Sequence, residues 1–91
     1  PTIAWLDITL QNTEFSYAFP AKTKRFLVEN VGTRTVQAAF TPGDTGVAGK
    51  WYSIAAATAH FEEEIGADQI LYARITQAVG GTQRLVILSW R

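Results

Sequence analysis

The chain's only histidine, His60, stands two residues before Glu62 and four before Glu64. In an extended strand alternate residues share a face, so these three would line up in one row. One imidazole and two carboxylates in register could hold a divalent cation, and paired carboxylates could pass protons as general acid and base. The competing reading puts Phe61 and Ile65 on the core face and leaves Glu62, Glu63 and Glu64 as a solvated acidic edge that discourages pairing with a foreign sheet. That second reading is preferred. The sequence offers no second ligand cluster, no glycine-rich phosphate loop, and no activated serine or cysteine beside the histidine. No metal, cofactor or catalytic residue is expected, and the chain is not read as an enzyme.

A second set of residues is suited to binding. Trp5, Trp51, Tyr52, Tyr72 and Trp90 could stack on sugar rings or anchor a protein interface, or they could fill the core. Trp51 and Tyr52 are adjacent, so one of the two must leave the core side of its strand. Lys22, Lys24 and Arg25 cluster beside Pro20, but without interleaved exposed aromatics they read as a solvated turn, not a nucleic-acid site. Arg74 shares a strand face with Tyr72, opposite the apolar Leu71, Ala73 and Ile75, which makes it a candidate ion-pair donor to another subunit. Residues 41–49 hold one proline and three glycines and form the one long loop, with Pro42 and Asp44 as candidate contacts. The candidate interface residues are therefore Trp51, Tyr52, Arg74, Trp90, Glu62, Glu64, Pro42 and Asp44.

The elements that must position them are strands. Alternation over 3–10, 14–19, 24–30 and 34–40 predicts four, with Phe15, Tyr17 and Phe19, then Val36, Ala38 and Phe40, facing inward. Residues 50–54 and 60–64 predict two more, joined by a bend at 55–59. Residues 69–77 and 83–90 are rich in β-branched and aromatic side chains, and Gly80 and Gly81 between them suit a tight reversal, so a long hairpin is expected. Leu71, Ala73, Ile75, Leu85 and Ile87 are assigned to its core side. Val86, Leu88 and Trp90 make the other face of the last strand equally apolar, as in a strand covered on both sides. Seven or eight strands with frequent turns and no long amphipathic helix predict an all-β, single-domain sandwich over residues 1–91. A jelly-roll-like arrangement is favoured, since the cysteine–tryptophan–cysteine hallmark of an immunoglobulin-like sandwich is missing.

Composition narrows the partners. Of 91 residues 47% are hydrophobic and 18% charged, and eight basic residues balance eight acidic ones. A neutral chain lacks the field that recruits nucleic acid or an anionic membrane, so neither is expected as a partner. It also lacks the charge repulsion that opposes self-association. Apolar runs are too short to span a bilayer, and the first residues do not have the pattern of a secretory leader. Without cysteine no disulfide reinforces so small a core, and an oligomer is expected instead, a homotrimer or an assembly on a lattice.

The segments Tyr52-Ser53-Ile54, Phe61-Glu62-Glu63-Glu64-Ile65, Leu71-Tyr72-Ala73-Arg74-Ile75-Thr76 and Leu85-Val86-Ile87-Leu88-Ser89-Trp90 resemble the C-terminal half of small β-sandwich virion proteins of tailed bacteriophages. In that family a strand ending in an acidic turn is followed by a strand with tyrosine, then valine or alanine, then arginine, a glycine/threonine turn, and a final apolar strand ending near tryptophan. The resemblance covers less than half of the chain. It implies a non-enzymatic decoration or cement protein on the capsid surface that binds the major capsid protein, often as a trimer. A carbohydrate- or receptor-binding module of a fibre or tail, using Trp51, Tyr52 and the 41–49 loop, is the alternative.

Overall fold

Strands form in this chain wherever alternating apolar residues run uninterrupted by proline, glycine or asparagine. The computed structural model describes residues 1–62 and 69–91. Among these residues are eight strands: β1 (Thr2–Ile8), β2 (Phe15–Ala18), β3 (Arg25–Asn30), β4 (Val36–Ala39), β5 (Tyr52–Ile54), β6 (Ala59–Glu62), β7 (Ile70–Arg74) and β8 (Gln83–Trp90). They make two four-stranded antiparallel sheets, ordered β1-β8-β3-β6 and β2-β7-β4-β5. Strands equidistant from the middle of the chain pair with one another: β1 with β8, β2 with β7, β3 with β6, β4 with β5. The chain is thus one long doubled ribbon, with its tip between β4 and β5, rolled so that successive rungs fall in opposite sheets. That is the strand order of an eight-stranded jelly roll, the sandwich expected from the sequence.

The core lies between the sheets. Ile8, Phe26, Val28, Leu85 and Ile87 of the first sheet meet Val36, Ala38, Ile54, Leu71 and Ala73 of the second, all essentially without solvent contact. Each of the larger ones contributes about 1.5–3 kcal/mol by leaving water. Phe15, Tyr17 and Phe40 pack against this cluster half-buried. Every alternating residue assigned to the core on β2, β4, β7 and β8, or just beyond their ends, packs there, and the register of the last strand is the expected one. A line of aromatic rings crosses the sandwich, from Tyr17 through Phe19, Phe26 and Phe40 to Tyr52, with successive centroids 4.8–6.2 Å apart.

One expectation is corrected. Residues 69–77 and 83–90 do not form a hairpin, because β7 belongs to the second sheet and β8 to the first. β8 pairs along its length with β1 on one side and with β3 on the other, while β7 is held between β2 and β4. Both edges of each strand are therefore taken, and their apolar faces meet across the core instead of lying side by side. Gly80 and Gly81, at φ 59° and 125°, turn the chain from one sheet to the other.

Buried amides fix this end of the sandwich. Asn30 Nδ2 donates to the carbonyls of Arg34 (2.7 Å) and Ile54 (2.9 Å), which ties β3 to the second sheet and to the loop that leads into it. Gln83 Oε1 accepts from the Thr33 amide at 2.6 Å, and its Nε2 donates to Val79 O at 2.9 Å. A Cβ on Gly32 would collide with that Gln83 oxygen, so a larger residue here would push the Gln83 amide off its Thr33 hydrogen bond. Arg34 Nε donates to Ala78 O at 2.8 Å and fastens the crossover loop.

Candidate docking face

Strand pleating sends every second residue of the first sheet outward, and on this sheet most of those residues are apolar. The ladder registers align them in rows. Ile3, Leu88, Leu27 and Phe61 form one row across all four strands. Trp5 and Val86 lie in the next row, followed by Glu29 and Ala59. On the other side of the apolar row, Trp90 stands beside Arg25. Trp5 is 62% exposed, Ile3 58% and Phe61 48%, while Leu27, Val86, Leu88 and Trp90 are half-buried only by each other and their neighbours. Phe61 meets Trp90 edge to face at 6.4 Å, and the Arg25 guanidinium lies over the Trp90 ring at 5.5 Å. Isolated exposed apolar residues are ordinary; a contiguous row across a whole sheet marks a surface that is meant to be covered.

At one end of the face Arg84 forms a forked pair with Asp7, Nε to Oδ1 at 2.7 Å and Nη2 to Oδ2 at 3.1 Å, and also lies over the Trp5 ring at 5.8 Å. The hydrogen bond from Arg84, and then its charge, hold the Asp7 carboxyl below its ordinary range, and the same bond raises Arg84.

The outer face of the second sheet is built differently. Its rows are Ser16–Tyr72–Ala39 and Arg74–Gln37–Ser53. The 41–49 loop contains a short 3₁₀ turn, Asp44–Gly46, which lies against β4 and β7. The turn begins at Gly43, whose φ of 84° favours glycine. The Glu14 carboxylate accepts hydrogen bonds from Thr45 Oγ1 and from the Gly43 amide (3.0 and 3.2 Å). Arg74 donates from Nε to Thr45 Oγ1 at 3.2 Å and from Nη1 to Asn12 O at 2.8 Å. Partial burial pushes the Glu14 carboxyl up, but the Thr45 and Gly43 hydrogen bonds and the Arg74 charge together outweigh it, and the group lies below its usual value. Arg74, considered as a donor to another subunit, thus makes its contacts within the chain. Pro42 is exposed on the clamped loop and Asp44 is half-buried in its turn.

The histidine lies where the sequence reading did not put it. β6 pairs with β3 in the register Phe26↔Glu62 and Val28↔His60, so His60 and Glu62 share the inward face and Phe61 points outward. His60 Nε2 is 2.9 Å from Glu62 Oε1, and its ring packs 4.3 Å from Tyr52 across the open edge between β6 and β5. The Tyr52 hydroxyl is buried with no hydrogen-bond partner among the described residues. Burial first, and the Glu62 charge second, push its ionisation well above the usual value of 10.0. Glu64, with Glu63, lies outside the described residues. Among the described residues no group of three metal-ligating side chains comes together. A cleft of about 300 Å³ opens elsewhere, between Pro1, Thr2, Pro20, Thr23, Ser89, Trp90 and Arg91, and among the described residues no carboxylate or imidazole side chain lines it.

Comparison with known proteins finds no match, whether to a family model, a curated protein or a solved structure. The geometry therefore has to carry the functional reading.

Of the candidate residues, the structure gathers Trp90 onto the apolar face and puts Glu62 at the edge of its strand layer. Trp51 is half-buried just before β5, and because Tyr52 turns inward the two do not form a shared exposed platform. Ile3, Leu27, Phe61 and Leu88 were missing from the candidate set. The doubly apolar last strand was the signal that pointed to them. No helix among the described residues is long and apolar enough to cross a membrane.

Proposed function

We propose that the chain is a non-enzymatic structural protein of a bacteriophage virion, decorating and cementing the head by association with copies of itself and with the major capsid protein. The observation that carries this reading is the apolar row Ile3–Leu88–Leu27–Phe61 with Trp5 and Trp90 beside it, an interface-grade surface on a neutral chain. Tryptophan and arginine, the residues that most often anchor interfaces, stand together there at Trp90 and Arg25. The resemblance of 71–76 and 85–90 to small virion sandwiches supplies the class of partner. The rigid loop carrying Pro42, clamped by Glu14 and Arg74, is the surface suggested for the shell, because it leaves the apolar face free for self-association.

The test is co-sedimentation with empty heads assembled from the major capsid proteins of tailed bacteriophages. Saturable binding, with a rise in the melting temperature of the heads, is the expected result, since a ligand of the folded shell alone must stabilise it. Absence of binding at any salt concentration removes the capsid reading.

A further inference from the structure

We propose that the outer face of the first sheet is covered by a second copy of the same chain, docked face to face with its strands antiparallel, so that Arg25 of each copy meets Glu29 of the other. This deepens the assembly reading above and rests on it only for the premise that the face is covered.

The argument begins with the symmetry of the face. Leu27 stands between Arg25 and Glu29 on the outward side of β3, and Leu88 is its cross-strand partner on β8. Arg25 and Glu29 are four residues apart on an extended strand, about 13 Å, so they cannot pair with each other. Among the described residues neither takes part in an ion pair. A two-fold axis along the Ile3–Leu88–Leu27–Phe61 row lays this row on its own copy. The same operation carries the Arg25–Trp90 row of one chain onto the Glu29–Val86 row of the other. Two reciprocal Arg25–Glu29 pairs result, with Trp90 of each copy over Val86 of the other.

The alternative two-fold axis, along the strands, has no such match. It places Leu88 over Leu27 but sets Glu29 over Val86 and Arg25 over Trp90, leaving both carboxylates against apolar surface. Covering an unpaired charge is costly, so the charges select the antiparallel arrangement.

The size is sufficient for a reversible dimer. Four strands about 4.8 Å apart, with lengths of 7, 8, 6 and 4 residues, make a face of roughly 19 by 21 Å. Two opposed copies cover on the order of 800 Å² before side-chain relief is added, below about 1,200 Å² and so in the range of weak, transient association. Sheet faces of this kind pack with a small rotation between strand directions, which the twist of each sheet supplies. The pairing uses one patch twice, as a two-fold interface does.

The test is a charge exchange read by sedimentation velocity over a dilution series. Arg25→Glu and Glu29→Arg each set like charges opposite one another and should shift the monomer–dimer midpoint by at least tenfold in concentration. The double variant Arg25→Glu/Glu29→Arg should restore it. Both positions of the exchange, Arg25 and Glu29, are exposed in the single chain, and circular dichroism of each variant checks that it folds. A wild-type chain that stays monomeric throughout the series overturns the inference, as does a double variant no better than the singles. Head binding is read separately: a monomer that still binds heads, and loses that binding in Leu88→Lys, puts the shell on this face and removes the dimer while leaving the capsid reading intact.

Discussion

On the second sheet the chain's own 41–49 loop packs against β4 and β7 and meets Arg74, whereas the first sheet leaves a row of four apolar side chains and two tryptophans open. The difference lies in what each surface offers. Around Arg74 the second sheet presents hydrogen-bonding groups, and Glu14, Thr45 and Asn12 O satisfy them within the chain. Around Leu88 the first sheet presents surface that gains from leaving water, and Ile3, Trp5 and Phe61 on it remain exposed among the described residues. A polar surface can be closed locally by a few directed bonds, whereas an exposed apolar row offers none, which is why a partner is proposed for it.

The largest expected effect sets the two faces against each other. Arg74→Ala removes the donor to Thr45 and Asn12 and loosens the loop. It should lower unfolding stability by about 1.5–3 kcal/mol, as loss of charged hydrogen bonds does, while leaving self-association unchanged. Leu88→Lys should do the reverse, changing the stability of the isolated chain by under about 1 kcal/mol and weakening association at least tenfold. Chemical denaturation and sedimentation of both variants read the contrast. If Arg74→Ala dissociates the protein and Leu88→Lys does not, the assignment of the two faces is reversed.

A smaller effect follows from Glu14. Its carboxyl lies below its ordinary 4.5, so as pH falls the unfolded chain takes up this proton before the folded one does. Stability is therefore complete above about pH 4.5 and declines as pH falls towards the lowered value of the folded state. Asp7 acts in the same direction on the other sheet. Melting temperatures measured at decreasing pH should fall less steeply in Glu14→Gln, and an identical pH slope in the variant would show that the clamp carries no charge-dependent stability.

The smallest effect belongs to Tyr52, whose hydroxyl lies buried without a partner among the described residues at the edge shared by both sheets. Tyr52→Phe removes a group whose burial is not compensated and should be neutral or stabilising by up to about 1 kcal/mol. A loss of more than this in thermal unfolding would mean that the hydroxyl is bonded in solution.

Alternation in the sequence was enough to place strands and to sort their faces. Phe15, Tyr17, Phe19, Val36, Ala38, Leu71, Ala73, Leu85 and Ile87 all face the core, because a strand's side-chain period of two converts an apolar pattern directly into a buried side. The doubly apolar β8 likewise foretold a second surface to be covered. Where β8 would land could not be read from the turn before it. Gly80 and Gly81 allow the chain to reverse, but reversal into the same sheet and crossing to the other use the same local conformations, and the competition was decided by the edges of β1 and β3. The inward turn of His60 was hidden for a related reason. Apolarity alone would send Phe61 inward, yet pairing β6 with β3 sets the pleat, and the pleat puts Phe61 on the open face beside Trp90. The sequence by itself determined most of the strands, the buried sides of β2, β4, β7 and β8, and the neutral, cysteine-free composition, because these depend on neighbours one or two residues apart. Which strands lie side by side, and so which outward residues merge into one apolar face, was decided only by tertiary structure, since those rows join β1, β8, β3 and β6 across the whole length of the chain.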